Sequence, residues 1–326
     1  MNVLVVGGAG YVGGAVTDAL QKTNHHTIRV FDALLYEESY RKPIDFVFGD
    51  IRDRDRLRHH LRWADAVIWL AALVGDGACQ LNPEISVQVN QDAVNWLASN
   101  FDGRIVFMST CSVYGAQNNA VLNENSPTAP LSVYAATKLG AEEYLKSKNV
   151  IIFRLGTLFG VGDEFSRVRL DLVVNTLAVR AWQVGRISVF GGEQFRPLLH
   201  VRDAAQAAVD NLATSYTGVF NLHRQNVRII DLAYQVRNHF PDLVIEQTPM
   251  NFQDSRNYRV TSEKAKTVLG FAPLYSIDRG IEEMQHLLET NRLKDVANPR
   301  YANQAFLSLF NTHKAAVKIA AAGAPA

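Results

Sequence analysis

The stretch Gly7-Gly8-Ala9-Gly10-Tyr11-Val12-Gly13 decides the fold. It follows an apolar run, Val3–Val6, that is typical of a buried strand, and it opens a helical pattern over Val12–Gln21. In such a unit the first glycine permits a tight turn, the second lets the backbone approach a pyrophosphate, and the third allows close helix–strand packing. N–H groups at the helix N-terminus then face the phosphates. The predicted contacts of this dinucleotide-binding turn are Gly7, Gly10, Tyr11 and Val12.

An acidic residue stands where the turn's ligand would place its ribose. Asp32 lies at the end of the second predicted strand, 19 residues beyond Gly13. An acid at about this spacing hydrogen-bonds a ribose 2′-hydroxyl and would repel a 2′-phosphate. Ala33, Leu34 and Leu35 follow it, without an arginine. The pattern therefore predicts NAD rather than NADP, with a surface turn aspartate as the alternative interpretation.

Strands alternate with helices through the first half of the chain. This alternation predicts an α/β fold with a Rossmann-type doubly wound parallel sheet and a smaller, mostly helical C-terminal substrate lobe. We expect residues 1–160 to form the dinucleotide-binding domain, with 200–223 returning to it. Residues 161–199 and 224–295 then form the substrate lobe, and 296–326 a C-terminal extension with a frayed end. The predicted helices after the first are Arg54–Arg62, Pro83–Asn100, Val133–Lys146, Leu170–Trp182 and Asp203–Leu212.

Composition excludes several classes of protein. The 326 residues include 33 basic and 32 acidic ones and show no basic block, which argues against nucleic-acid and membrane-surface partners. No apolar run approaches the ~18 residues of a membrane span. The two cysteines, Cys79 and Cys111, lack metal-ligand spacing and indicate a reducing compartment. We expect a cytoplasmic protein without a metal.

A tyrosine and a lysine form the predicted acid–base pair. Tyr134 and Lys138 are four residues apart in the predicted helix Val133–Lys146, so they share one face. A nearby ammonium and a positively charged nicotinamide would both stabilise the phenolate. Such a tyrosine could exchange a proton with a substrate hydroxyl during hydride transfer. Thr110, at the carboxyl end of the predicted strand Ile105–Met108, is expected to hold the same oxygen.

With these motifs the chain resembles the extended short-chain dehydrogenase/reductases, specifically the NAD-dependent nucleotide-sugar epimerase/dehydratase family, over roughly residues 1–290. The resemblance implies that Thr110, Tyr134 and Lys138 are catalytic and that the last two also contact NAD. Further cofactor contacts implied by matching segments are Asp50, Ile51, Leu70, Ala71, Ala72 and Asn90. The stretch Arg196-Pro197-Leu198-Leu199-His200-Val201-Arg202-Asp203 also matches. In that stretch His200 and Asp203 are expected to fix the chain's return to the sheet rather than to do chemistry.

The residues expected to bind substrate depart from the family pattern. Cys111 and Ser112 follow Thr110, where the family's 4,6-dehydratases carry an acid, so dehydration is disfavoured and Cys111 is interpreted as a small filler. Cys79 stands where many relatives have a serine over the sugar, and Thr157 where many have an asparagine near the diphosphate. The predicted substrate contacts are Cys79, Ser112, Thr157, Asn175, Arg196 and Arg256. For either arginine a solvated surface role is the alternative.

The function favoured at this point is a nucleotide-sugar 4-epimerase that acts through a transient 4-keto sugar with bound NAD. A 4-keto-sugar nucleotide reductase is the alternative. A 4,6-dehydratase and a non-catalytic cofactor-binding protein are disfavoured. The resemblance also implies a homodimer that packs through the helices at Pro83–Asn100 and Val133–Lys146.

Overall fold

The computed structural model describes residues 1–117, 120–165, 167–249 and 257–310. The strands, in chain order, are β1 (Asn2–Val6), β2 (Thr27–Asp32), β3 (Asp45–Phe48), β4 (Ala66–Trp69), β5 (Arg104–Thr110), β6 (Val121–Leu122), β7 (Val150–Leu155), β8 (Thr157–Phe159), β9 (Arg186–Phe190), β10 (Phe195–His200), β11 (Gly218–Leu222), β12 (Gln225–Arg228), β13 (Val244–Thr248) and β14 (Arg259–Val260). The α-helices are α1 (Tyr11–Thr23), α2 (Arg54–Leu61), α3 (Asp76–Gln80), α4 (Pro83–Val87), α5 (Ala93–Asn100), α6 (Val133–Leu145), α7 (Val173–Val184), α8 (Val201–Asp210), α9 (Ile229–His239), α10 (Glu263–Leu269) and α11 (Ile277–Glu289).

The main sheet has seven strands in the order β11-β7-β5-β4-β1-β2-β3, and each neighbouring pair is parallel. The strand order reverses between β1 and β4. Ligands bind in open α/β sheets beyond the carboxyl ends of the strands at such a reversal. The predicted Rossmann-type doubly wound sheet is confirmed, and its crevice lies where the glycine turn leaves β1.

The two faces of the main sheet bury separate cores. Side chains alternate across a strand, so Val3 and Val5 of β1 pack on one face and Leu4 and Val6 on the other. The first face is covered by α1 and α8, and the second by α2, α5 and α6. Burial on both sides explains why these strands are continuous apolar runs in the sequence.

The predicted helix Pro83–Asn100 has a π-helical turn at its centre. Residues Gln88–Asp92 join α4 to α5 in this form, and they place Asn90 in the interior of the protein. Single π turns within helices are frequent at functional sites. The helix predicted over Leu170–Trp182 begins only at Val173, because Leu172 has an extended backbone.

The C-terminal lobe is helical around two small sheets. Helices α7, α9 and α11 share its core, and β12-β10-β8 and β13-β9 are the sheets that join them. Four strands of these sheets, β9, β10, β12 and β13, lie where the sequence showed no regular strand pattern. Among the described residues, no helix combines the length and apolarity that crossing a bilayer requires.

Candidate active site

The glycine turn is shaped by backbone that passes within contact distance. Gly7 has a φ of +87°, and a Cβ there would lie 2.5 Å from the amide nitrogen of Ala71. A Cβ on Gly13 would collide with the backbone of Gly7 and Gly8. Helix α1 has neither a side-chain cap nor an acidic residue in its first turn. Its N-terminal N–H groups are therefore suited to phosphate oxygens, and the turn fits a dinucleotide.

The carboxylate of Asp32 is fixed at the end of β2. Its two oxygens accept hydrogen bonds from the N–H groups of Ala9 (3.0 Å) and Leu34 (2.7 Å). Burial raises the pKa of Asp32, and these N–H groups oppose that rise. The bond to Ala9 ties the acid to the glycine turn, so the groups expected to face ribose and pyrophosphate form one unit.

A cleft of about 490 Å³ joins most of the predicted cofactor residues, a volume typical of a small-molecule site. The predicted residues that line it are Gly7, Gly10, Asp32, Asp50, Ile51, Leu70, Ala71 and Ala72. At its far end Asp50 pairs with Arg52 (2.6 Å), and this pairing lowers the pKa of Asp50. Leu81, Asn82, Ile85 and Val89 also line the cleft, and the sequence motifs did not identify them.

The side chains of three predicted cofactor residues contact the rest of the protein rather than line the cleft. The Tyr11 hydroxyl donates a hydrogen bond to the carbonyl of Gly160 (2.8 Å), and Val12 packs against the core. The Asn90 amide holds both the N–H and the carbonyl of Leu73 (2.8 and 2.9 Å). In this structure the side chains of Tyr11, Val12 and Asn90 therefore support the segments around the cleft.

Tyr134 and Thr110 meet where α6 begins. Ser132 caps this helix by accepting a hydrogen bond from the N–H of Ala135, and its hydroxyl donates to Asp76 (2.7 Å). The Thr110 side chain lies near the Tyr134 hydroxyl and lowers the pKa of that phenol. The structure thus places two of the three predicted catalytic residues next to each other.

The protonation of Tyr134 depends on its burial as well as on nearby charges. Burial raises the pKa of Tyr134 above its ordinary value, and the Cys79 thiol acts in the same direction. Arg169 and Thr110 lower the pKa without reversing the shift. Without NAD, desolvation of the phenolate outweighs the nearby charges. The expected phenolate also depends on the positive charge of a bound nicotinamide, so that expectation stays a prediction.

Lys138 is buried beside an aromatic ring. Its Nζ lies 4.1 Å from the centre of the Phe107 ring, and only 3% of the residue is exposed. Burial lowers the pKa of Lys138 to about 7, and Glu142 opposes that shift. Tyr134, Lys138 and Glu142 follow one another at four-residue intervals, so α6 presents them on one face.

A buried polar network supports this face of α6. The Glu142 carboxylate pairs with Arg154 (2.7 Å) and accepts a short hydrogen bond from Ser109. Arg154 also donates to the hydroxyl of Tyr114, which donates to Asn221 (3.0 and 2.8 Å). The network ties α6 to the carboxyl ends of β5, β7 and β11. The sequence motifs did not predict this network. The four-residue spacing of Tyr134, Lys138 and Glu142 was the one feature that could have indicated that Glu142 belongs to the same face.

The predicted substrate residues fall into different environments. Cys79 is fully buried and its thiol donates to the carbonyl of Leu73 (3.3 Å), while the Ser112 hydroxyl lies 3.4 Å from that of Tyr258. Thr157 pairs along β8 with Leu198 of β10. Arg196 is buried on β10. Arg256 lies outside the described residues.

Asn175 and Cys111 are both engaged with the backbone. The Asn175 side chain accepts from the N–H of Gly160 (2.9 Å) and donates to the carbonyl of Arg169 (2.8 Å). It is fully buried, so the structure uses this amide to hold a loop. The Cys111 thiol donates to the carbonyl of Arg154 (3.1 Å), and its burial confirms the interpretation as a small filler.

Arg169 is a site residue that the sequence reasoning missed. It pairs with Asp171 (2.9 Å) just before α7, and its charge lowers the pKa values of both Tyr134 and Tyr11. No motif marks it, because its place near Tyr134 depends on the loop that Asn175 holds. Among the described residues, no group of three or more His, Cys, Asp or Glu side chains could hold a metal ion.

His200 and Asp203 have the structural role expected of them. His200 caps α8 by accepting from the N–H of Arg202 (3.1 Å), and its other ring nitrogen lies 3.0 Å from Glu283. Asp203 accepts from the N–H groups of Leu274 and Tyr275. Both residues join the lobe to the Rossmann unit, as predicted.

Comparison with known proteins identifies the class to which this fold and site belong. The model of the NAD dependent epimerase/dehydratase family matches residues 3–222. The chain therefore belongs to this family, and the predictions of family and of NAD as cofactor are confirmed.

Individual relatives include enzymes that act on nucleotide sugars. A UDP-glucose 4-epimerase of Halalkalibacterium halodurans is 28% identical across 84% of this chain and 91% of the relative. A crystal structure of UDP-glucose 4-epimerase from Thermotoga maritima with UDP-glucose has a TM-score of 0.78 at 22% identity, covering 89% of this chain and 99% of that one. A dTDP-glucose 4,6-dehydratase structure from Streptomyces venezuelae has a TM-score of 0.77 at 21% identity, covering 90% and 98%. At these identities the two structures support the fold.

Proposed function

We propose that this chain is a nucleotide-sugar 4-epimerase that acts on a nucleoside-diphosphate hexose with NAD bound. One observation carries the proposal. At the carboxyl end of β5, the Thr110 side chain lies near the Tyr134 hydroxyl, and the next two residues, Cys111 and Ser112, offer no carboxyl group. Thr110 and Tyr134 can move a proton at a substrate hydroxyl. Cys111 and Ser112 do not provide the carboxylic acid that elimination of water would use.

The protein's own groups would act on the sugar 4-hydroxyl. Bound NAD would supply the hydride acceptor and donor for C4. As the phenolate that the positive charge of a bound nicotinamide would favour, Tyr134 would take the hydroxyl proton and return it after the sugar has turned over, while Thr110 holds the same oxygen. Lys138, whose pKa burial lowers to about 7, can take up or release a proton near neutral pH on the same face of α6.

The cofactor preference supports a redox-neutral reaction. Asp32 is anchored by two N–H groups at the place expected for a ribose 2′-hydroxyl, which favours NAD. A 4-epimerisation leaves the cofactor in the form in which it began, so no external reductant is needed. A reductase would instead consume reduced cofactor with each turnover.

We also propose that the sugar nucleotide lies between the Rossmann unit (1–160 with 200–223) and the lobe (161–199 with 224–295). The residues assigned to it are Cys79, Ser112, Thr157 and Arg196. The burial of Cys79 makes it part of the wall rather than a donor to the sugar. The homodimer and the cytoplasmic location stay predictions.

The test is incubation of the purified protein with UDP-, GDP-, CDP- and dTDP-hexoses, without added cofactor. We expect one of them to be converted to its C4 epimer, identified by NMR. We expect the Tyr134→Phe variant to lose about 10²–10⁴-fold in turnover, the usual contribution of a general acid–base group. Turnover that requires stoichiometric NADH would indicate the reductase, and loss of water from C5 and C6 the dehydratase. Unchanged turnover by Tyr134→Phe would contradict the proposed role of that residue.

A further inference from the structure

The chain after α11 crosses the mouth of the dinucleotide cleft. Residues 298–310, which we name the C-terminal strap, contain a short 3₁₀ turn at Pro299–Tyr301 and a helical segment at 303–310. Leu307 and Phe310 of the strap line the same cleft as Gly7, Gly10 and Asp32. Two apolar side chains from the far end of the sequence therefore form part of the wall opposite the glycine turn.

The strap is anchored to three separate parts of the molecule. The Asn303 side chain donates to the carbonyl of Val74 in the loop after β4 (2.7 Å), and its N–H donates to Asp171 (2.9 Å). Phe306 packs against Tyr36 in the loop after β2, with ring centres 5.1 Å apart. Asn303 is only 3% exposed, so this junction is an interior one. The strap thus joins both rims of the cleft to the lobe.

Arg167 is held between the strap and the cleft. Its guanidinium donates to the carbonyl of Arg300 (2.6 and 2.9 Å) and to the Asn303 side chain (2.6 Å), and it stacks 3.7 Å from the Tyr36 ring centre. It lines the cleft and is 5% exposed. In the described part of the chain, no carboxylate lies within ion-pair distance of this cation.

These positions suit an anionic ligand. A buried guanidinium without a carboxylate is costly unless another anion offsets its charge. Its neighbours in the strap are neutral acceptors that fix its orientation. Burial, followed by the charge of Arg169, lowers the pKa of Arg167 to about 10, although Tyr36, Asp171 and Glu37 oppose the shift, so these groups compensate the cation only in part.

We propose that the C-terminal strap completes the NAD site. Leu307 and Phe310 cover the bound dinucleotide, and Arg167, oriented by the strap, supplies positive charge for its diphosphate. Release of NAD then requires the strap to leave the cleft, so the cofactor dissociates slowly and stays bound between turnovers. The proposal rests on NAD use by the family. It deepens the proposed epimerase function, in which the cofactor has no need to exchange.

The main experiment measures NAD release without any sugar, so its outcome does not depend on the reaction proposed. The Leu307→Ser/Phe310→Ser variant and the wild type are loaded with NAD, freed of excess nucleotide and diluted into a trap of fluorescent NAD analogue. We expect release from the double variant to be at least about tenfold faster, a change equal to about 1.4 kcal/mol. Thermal unfolding of each variant checks that it is folded.

A matched control lies on the same helical segment. Leu309 is 51% exposed and is not among the residues that line the cleft, so Leu309→Ser changes the same residue type on another face. We expect its release rate to match that of the wild type. Equal release from the folded double variant and from wild type would overturn the proposal. Slower release from the double variant would also overturn it, because the strap would then obstruct the cofactor.

The role of Arg167 is tested separately by Arg167→Met and Arg167→Lys. We expect Arg167→Met to weaken NAD binding at least about tenfold and to reduce its dependence on salt, since one charge contact with the diphosphate is removed. Arg167→Lys keeps the charge but loses the planar fork, so its affinity should lie between the two. Unchanged affinity and salt dependence in folded Arg167→Met would contradict the assignment of Arg167.

Discussion

The two walls of the dinucleotide cleft are held in place in different ways. The wall on the sheet side is formed where β1, β2 and β4 end. Backbone hydrogen bonds hold it, from the N–H of Gly7 to the carbonyl of Phe31 and from the N–H of Ala71 to the carbonyl of Val6. The opposite wall consists of side chains from the loop after β2, from Arg167 and from the strap. The sheet-side wall cannot move without disrupting the sheet, whereas the side chains of the opposite wall can change rotamer. We therefore expect changes on the sheet side to abolish binding or folding, and changes on the strap side to alter rates of release.

The largest effect on stability is expected beneath the sheet-side wall, at Glu142. In Glu142→Gln the Arg154 guanidinium loses its carboxylate in the interior. Breaking a buried pair in this way costs about 3–5 kcal/mol. Urea unfolding measures the loss, with Glu143→Gln as the control. Glu143 pairs with Lys146 at the surface, and its replacement should cost about 0.5 kcal/mol or less. Equal losses in the two variants would contradict a supporting role for the network.

The next effect is expected at Gly7. An alanine there meets the backbone of Ala71 and must adopt a φ of +87°, which together cost about 2–4 kcal/mol of folding free energy. We expect NAD binding, followed by calorimetry, to fall at least about a hundredfold. Gly185→Ala is the control, because Gly185 also has a positive φ, +62°, but its added Cβ meets nothing within 4 Å. Retained NAD affinity in Gly7→Ala would show that the turn is not a rigid wall.

A smaller, pH-dependent effect is expected at Lys138. Its pKa is about 7 when folded and near 10.5 when unfolded, so the unfolded chain binds the extra proton between these values. The wild type therefore gains stability as the pH rises from 7 to 10.5. Lys138→Met should be more stable than wild type below pH 7, and this gain should shrink and vanish as the pH approaches 10.5. Urea unfolding at several pH values measures it, with the exposed Lys146→Met as the control. A gain that does not depend on pH would contradict the burial of a proton-binding group.

The smallest effect is expected at Asp32. Asp32→Ser removes the carboxylate and should lower NAD affinity about tenfold, while NADP affinity rises because a 2′-phosphate is no longer repelled. Titrations with both dinucleotides measure the two changes. Asp55→Ser, an exposed change on α2, should alter neither. An unchanged ratio of the two affinities in Asp32→Ser would place the ribose elsewhere.

The sequence predicted the sheet-side wall because its determinants are local. The glycine turn, Asp32 and the Tyr134–Lys138 spacing each lie within one strand–turn–helix or helical segment. Arg167 and Asn303 are 136 residues apart, and only the folded chain brings them together. The same holds for the pairing of β9 with β13, whose two segments show no regular strand pattern.

The differences between expectation and structure have a similar physical origin. Asn175 was expected to contact substrate in place of the asparagine that many relatives carry where this chain has Thr157, whereas in the structure its amide holds the loop at Gly160. The phenol of Tyr134 was expected to be acidic, but its protonation depends on burial, which no spacing reveals. Sequence motifs thus indicated which groups are present, and the surroundings decide their chemistry.

The most direct test uses the nucleotide sugar that the protein converts, labelled with deuterium at C4, in ordinary water without added cofactor. If the hydrogen leaves and returns within one closed site, the product epimer keeps its deuterium at C4, as NMR of that position will show. Replacement of the deuterium by solvent hydrogen, or conversion only with added reduced cofactor, would contradict a redox-neutral 4-epimerase built on Tyr134 and retained NAD.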